Sequence, residues 1–328
     1  MNSLRIVGED DVRALIDTDS ALEIARRTLR DQAQGNASLS TPSAMTLDAR
    51  RFGGGMFKFK AANVGHLGAS GIRLISRMSA IDPDAKNFCA VYKHGNLALA
   101  GLVAELWISR IRTAAFGTAA VEVLANPGPL VVALFGTGKI ANEIVPMLAR
   151  ALDIRELRVS SRRQESIDRF VAEHSTASSF ELRGEADAAR MLDGADVVLT
   201  ITDADKPLVH PGTLKRGALV CSMGGKNEID FGVLAEIDRF VVDDTDFAME
   251  VGDGGAWIRQ GRLTPEKFCA RVDALACEVA GGTKPGRLTP DDRILAIMQG
   301  MAVGDVAFAA YALQQAEKLG KGKEVEIP

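Results

Sequence analysis

Apolar and polar positions change their rhythm twice along this chain. Between Asp17 and Gly35 apolar residues recur at helical spacing (Ala21, Leu22, Ala25, Leu29), with Asp17-Thr18 as a cap and Gly35 as a stop. Short runs at Met56–Ala61, Gly71–Met78 and Cys89–Tyr92 then read as strands, separated by turn-rich segments at 63–70 and 82–87. Strands with hairpin-length gaps predict an antiparallel or mixed sheet. From Ala104 to Leu124 the spacing predicts a long helix, crowded with small residues after Arg112.

Past Asn126-Pro127-Gly128-Pro129 the pattern becomes one of alternating elements. Leu130–Phe135 is a continuous apolar run, as in a strand buried on both faces of a parallel sheet. Helices are predicted at Glu143–Ala151, Glu165–His174 and Ala186–Leu192, and strands at Glu156–Ser160, Asp196–Thr200, Leu219–Ser222 and Arg239–Val242. Such alternation is the mark of a doubly wound α/β domain. Thr289-Pro290-Asp291-Asp292 reads as a helix start, and the apolar positions from Ile294 through Met301 to Leu313 as the helix that follows, closed by Gly320. The polar tail beyond it is expected to be mobile.

Composition narrows the field without naming a function. Hydrophobic residues make up 47% and charged ones 25%, enough apolar content for a globular core. With 39 Lys and Arg against 43 Asp and Glu there is no basic footprint, and aromatics at 5% offer no stacking platform, so a nucleic-acid partner is not expected. The four cysteines form no C-x-x-C pair and read as reduced thiols, and the acidic residues show no metal-ligand spacing. The first residues lack a basic stretch followed by an apolar run, and Gln299 and Asp305 interrupt the longest apolar stretch. The expectation is a soluble, cytoplasmic chain with no membrane partner and no metal.

Gly136-Thr137-Gly138-Lys139-Ile140-Ala141 follows the buried Leu130–Phe135 run directly. In G-x-G-x-x-A the first glycine permits the tight turn and the second lets backbone reach a pyrophosphate. The small third residue lets the helix close on the strand, and the helix N-terminus faces the phosphates. Gly136, Thr137, Gly138, Ile140 and Ala141 are therefore candidate dinucleotide ligands. At the end of the next strand, Ser160-Ser161-Arg162-Arg163 carries no acid to hold a ribose 2′-hydroxyl. Ser161, Arg162 and Arg163 suit a 2′-phosphate, so NADP(H) is favoured, with NAD(H) possible.

Several stretches, in order, resemble the ornithine cyclodeaminase/μ-crystallin family over roughly residues 10 to 320. They are Arg112-Thr113-Ala114-Ala115, the glycine turn, Ala195-Asp196-Val197 with Thr200-Ile201-Thr202 and Pro207, Ser222-Met223-Gly224, Val242-Asp243-Asp244, Lys284-Pro285-Gly286-Arg287 and Gly300–Asp305. The resemblance implies a Rossmann-type doubly wound parallel sheet at 116–305, plus a second α+β substrate-binding and dimerisation domain built from 1–115 and 306–328. It also implies a homodimer. The implied chemistry is hydride transfer between a nicotinamide and the Cα of a small amino, imino or 2-oxo acid. Alternatives within the family are ammonia-releasing cyclisation of ornithine and μ-crystallin-like, cofactor-dependent binding.

Residue by residue, the resemblance places Arg112 on the substrate carboxylate, which a planar guanidinium grips through two parallel hydrogen bonds. It places Thr113, Thr202, Met223 and Gly224 at the cofactor. Arg73 stands where the family has a lysine. An arginine holds a carboxylate but does not give up its proton near neutrality, so Lys60 on the preceding strand, ahead of Lys58 on the same face, is the candidate proton donor. The family's cyclodeaminases carry an aspartate just past the glycines, where this chain reads Gly224-Gly225-Lys226. Its absence argues for reduction over cyclodeamination. His66, His94 and His210 are weaker acid–base candidates, and Asp243 either lines the site or caps a turn.

Overall fold

The computed structural model describes residues 2–52, 55–77, 87–175 and 179–327 and divides the chain into two units. One comprises Met1–Arg112 with Met301–Pro328, the other Thr113–Gly300. Of the strand and turn positions expected from sequence, Met78 and residues 82–86 lie outside the described residues.

The first unit holds an eight-stranded mixed sheet. Its strands run in the order Lys323–Ile327, Asn2–Val7, Leu99–Ala104, Phe88–Lys93, Ala69–Arg77, Met56–Val64, Ala37–Leu39, and Met45–Asp48 also pairs with Met56–Val64. Only the Asn2–Val7 and Leu99–Ala104 pair is parallel. Because side chains alternate along a strand, Gly71, Arg73 and Ile75 are buried while Ile72 is exposed. The helix Ala302–Leu319, apolar on nearly every side, packs across Met56–Val64 and Ala69–Arg77. Asp17 caps the helix Thr18–Ala33, as its sequence predicts.

The tail corrects one expectation. Rather than being mobile, Lys323–Ile327 pairs antiparallel with Asn2–Val7. Its alternating Glu324-Val325-Glu326-Ile327 suits an edge strand, where every second side chain meets water.

The second unit is an all-parallel, eight-stranded sheet in the order Glu181–Gly184, Ile154–Ser160, Leu130–Phe135, Val197–Thr200, Leu219–Ser222, Ile294–Ile297, Arg239–Val242, Ala274–Leu275. The chain winds outward from Leu130–Phe135, then returns to place Val197–Thr200 on its other side. That reversal is the switch point beside which doubly wound sheets bind ligands. Phe240 and Phe268 meet edge to face at 5.4 Å, and the buried Trp257 donates to the Ile229 carbonyl at 3.2 Å.

Here the second correction falls. Ile294–Ile297 is not the start of the last helix but a strand between Leu219–Ser222 and Arg239–Val242, buried at all four positions. A short apolar run fits a helix core and a two-sided strand equally well, and tertiary pairing decides between them. Gly300, at φ +89°, ends the run, and the helix begins only at Ala302.

Candidate active site

The glycine turn has the geometry its sequence requires. Gly136 sits at φ +121°, where L side chains are strained, and a Cβ there would lie 2.5 Å from the Ile201 carbonyl oxygen. Gly138 is the N-cap of the helix Lys139–Ala151, and a Cβ added to it would meet nothing within 4 Å. Ala141 is fully buried against the sheet, while Thr137 and Ile140 are half-buried. A helix N-terminus with unpaired N–H groups thus opens onto free space at the switch-point end of the sheet, which fits a dinucleotide pyrophosphate.

At the end of Ile154–Ser160, Ser161 is half-buried and Arg162 and Arg163 are exposed. Arg163 is the N-cap of the helix Gln164–His174 but makes no side-chain cap bond, so its guanidinium is not needed to start that helix. Lys226 donates to Asp205 at 2.8 Å, and that bond, with Arg162 nearby, holds the Asp205 carboxyl below the usual range.

Thr202, Met223 and Gly224 lie beyond the ends of neighbouring parallel strands, and Glu228 links two of them. This carboxylate is fully buried. Its Oε1 accepts from the Thr202 N–H and hydroxyl, both at 2.6 Å; its Oε2 accepts from the Thr200 hydroxyl at 2.8 Å and the Gly224 N–H at 2.9 Å. A Cβ at residue 224 would overlap that carboxylate, so the position demands glycine. Beneath it Asp253 accepts from the Glu228 and Ile229 N–H groups at 2.6 and 2.8 Å and from the Ser222 hydroxyl. Burial raises the Glu228 carboxyl, against the pull of its four donors, and pushes Asp253 up to about 7.

In the first unit three cationic side chains converge. Lys60 and Arg73 are cross-strand partners and so share a face, and both are buried. Arg73 is paired with Glu105, lies 3.1 Å from Asp305 and donates to the Ser109 hydroxyl at 2.9 Å. Arg112 Nε lies 2.8 Å from the other Asp305 oxygen. Asp305 is fully buried; burial alone would raise its carboxyl, but Arg112, Arg73 and Lys60 hold it below the usual range. Burial draws Arg73 down to about 10, which leaves it charged at neutral pH. Lys60, Arg73 and Arg112 thus gather around the Asp305 carboxylate, with Glu105 paired to Arg73.

Sequence reasoning gave Glu105, Asp305 and Glu228 no role in the site. The signals for Asp305 were its place at the end of the family-like stretch Gly300–Asp305 and its position as an acid in the first turn of an otherwise apolar helix. The histidines fall elsewhere: His66 Nδ1 lies 2.6 Å from Asp31, His94 is exposed, and His210 is an exposed side chain 3.5 Å from Asp230. Asp243 accepts from the Asp244 and Gly300 N–H groups and so caps a turn. Among the described residues no group of three or more His, Cys, Asp or Glu is placed to hold a metal ion, and no helix is long and apolar enough to cross a membrane.

Comparison with known proteins bears on this geometry. The model of the ornithine cyclodeaminase/mu-crystallin family matches residues 12–319. The alanine dehydrogenase of Archaeoglobus fulgidus is 25% identical over 330 residues, covering 98% of each chain. Among solved structures, an archaeal alanine dehydrogenase dimer with bound NAD superposes with a TM-score of 0.87 at 23% identity, covering 99% of both chains. The Thermococcus litoralis Δ1-pyrroline-2-carboxylate reductase, in complex with NADH and L-proline, superposes at 0.86 and 19%, covering 98% of this chain and all of the other. Such likeness shows that the two-unit fold, with a Rossmann-type sheet in one unit and a mixed α+β arrangement in the other, is shared.

Proposed function

Since the chain belongs to the ornithine cyclodeaminase/mu-crystallin family, we propose that it is a nicotinamide-dependent oxidoreductase acting at the Cα of a small amino, imino or 2-oxo acid. The relatives named as alanine dehydrogenase and pyrroline-2-carboxylate reductase act on such compounds. The observation that carries the reading is the buried cluster of Lys60, Arg73 and Arg112 around Glu105 and Asp305. A substrate carboxylate brought to these buried cations would accept charge-assisted hydrogen bonds, roughly twice as strong as neutral ones.

In this account Arg112 grips the carboxylate, oriented by Asp305, and Arg73 adds a second positive group held by Glu105, Asp305 and Ser109. Lys60, across the ladder from Arg73, supplies the proton, because an ammonium has three rotatable donors and a lysine gives up its proton far more readily than a guanidinium. Gly136, Thr137, Gly138, Ile140 and Ala141 hold the pyrophosphate of the cofactor, with Thr113 and Met223 alongside. When bound, the nicotinamide supplies or takes up a hydride.

Ser161, Arg162 and Arg163 favour NADP(H) over NAD(H), since no acid stands there to repel a 2′-phosphate. The position after Gly224 is filled by Gly225 and by Lys226, which is bonded to Asp205, so the acid expected of a cyclodeaminase is missing. Ile6, Met45, Leu47 and Ile72 are 41%, 59%, 58% and 42% exposed. They share the sheet face opposite the helix Ala302–Leu319, because their cross-strand partners place them in register. That apolar face supports a homodimer.

The test is fluorescence titration with NADPH and NADH, followed by cofactor oxidation with pyruvate or glyoxylate plus ammonia and with cyclic imino acids. Oxidation that depends on an added oxo or imino acid supports the reading. Tight cofactor binding with no oxidation, and ammonia release from ornithine instead, overturns it.

A further inference from the structure

We infer that Glu228 is a positioning residue for the cofactor, clamping the loops that follow Val197–Thr200 and Leu219–Ser222; this rests on the nicotinamide reading above. Its four acceptor bonds occupy the Thr200 hydroxyl, the Thr202 N–H and hydroxyl and the Gly224 N–H, donors that would otherwise be open to a ligand. The Thr202 N–H and hydroxyl both go to Oε1, and the same hydroxyl accepts from the Ala204 N–H at 3.0 Å. The Gly224 N–H goes to Oε2, and the Gly224 carbonyl already accepts from the Gln299 amide at 3.0 Å. Thr202 and Gly224 therefore shape the cofactor site through where Glu228 holds them, and their own N–H groups do not reach a ligand.

The clamp reaches the phosphate turn as well. Ile201, between the two threonines, donates its N–H to the Phe135 carbonyl, and its own carbonyl packs against Gly136. Moving Thr202 moves Ile201, and with it the wall that fixes the positive φ of Gly136. Glu228 is itself held from behind by Asp253, which takes the Glu228 and Ile229 N–H groups.

Because every partner of the Glu228 carboxylate is a donor, its role depends on two acceptor oxygens. Glu228→Gln keeps the volume but turns one oxygen into an NH₂ group. Hydroxyls can rotate and accept from it, whereas a backbone N–H cannot, so either Thr202 or Gly224 loses its buried bond whichever way the amide is placed. A buried donor left unpaired is costly, and some of that cost falls on the bound geometry. The expected result is an NADH Kd about tenfold weaker by fluorescence titration, with the KM for the cofactor raised and the KM for the oxo or imino acid unchanged.

Thr200→Val is the gentler second variant, because the Thr200 side chain is fully buried and its hydroxyl serves Glu228. It should weaken NADH by roughly threefold in a chain with near-native stability. Should Glu228→Gln fail to fold, Thr200→Val decides alone. Wild-type protein that binds NADH, with variants that bind it equally well or lose both KM values together, overturns the clamp and leaves the cofactor reading standing. Wild-type protein that binds neither NADH nor NADPH overturns both.

Discussion

Replacing Arg112 by alanine removes the guanidinium assigned to the substrate carboxylate and leaves Arg73 paired with Glu105 and Asp305, with Lys60 near Asp305. Removing one partner of a desolvated, hydrogen-bonded charge pair costs about 2–5 kcal/mol, so kcat/KM should fall by roughly 30- to 4,000-fold. Arg112→Lys keeps the charge but loses the planar fork, and should recover part of the loss, mostly as lower KM. Folding should suffer less than catalysis. Asp305 keeps Arg73 at 3.1 Å, so the Tm shift should sit near the 2–4 °C expected of about 1 kcal/mol. The assay is steady-state cofactor oxidation at varied oxo acid with saturating ammonia, beside a thermal melt. An Arg112→Ala enzyme that keeps kcat/KM within threefold of wild type refutes the charge argument.

Other expectations follow from the same geometry. Lys60→Met should lower kcat by about a hundredfold or more, as loss of a general acid does; a kcat close to wild type assigns the proton elsewhere. Arg162→Ala with Arg163→Ala should weaken NADPH about tenfold, the low end for charge-assisted bonds because both side chains are exposed, while leaving NADH within about twofold. Equal losses for both cofactors count against a 2′-phosphate site. Asp253 titrates in the fold near 7 against an ordinary value of 3.8, so the folded chain holds a proton that the unfolded chain has released, and stability drops as pH rises across that window. Asp253→Asn should therefore gain in Tm relative to wild type between pH 5 and about 8; a pH-independent difference contradicts the raised carboxyl. Ile72→Glu, in the middle of the open sheet face, should convert a dimer to monomer in light scattering, and a wild-type chain that is already monomeric removes that surface from the account.

Legibility in the sequence followed the range of the interactions. Gly136-x-Gly138 was readable because the turn, the positive φ and the cap are local, and every residue needed lies within six positions of the strand end. The helix capped by Asp17 was readable for the same reason. Ile294–Ile297 was not: four aliphatics state only that the segment is buried, and their strand character comes from neighbours some 75 and 55 positions earlier in the chain. Lys323–Ile327 depends on pairing with the opposite end of the chain. In the site, Arg112 and Arg73 were legible through the family resemblance, but Glu105 and Asp305 gained meaning only once the fold set them between those cations. Glu228 follows Gly224 by four residues, yet nothing in its local spacing shows that Thr200 and Thr202, more than twenty residues before it, close around its carboxylate.

The most direct test of hydride transfer to Cα uses NADPH carrying deuterium at C4 of the nicotinamide, on the face the enzyme uses, with an oxo acid and ammonia. Each face is labelled in a separate reaction and the amino acid product is analysed by mass spectrometry. The account predicts one deuterium at Cα from one of the two labelled cofactors and none from the other. An amino acid formed without deuterium from either, or ammonia released from ornithine with no net cofactor oxidation, contradicts it.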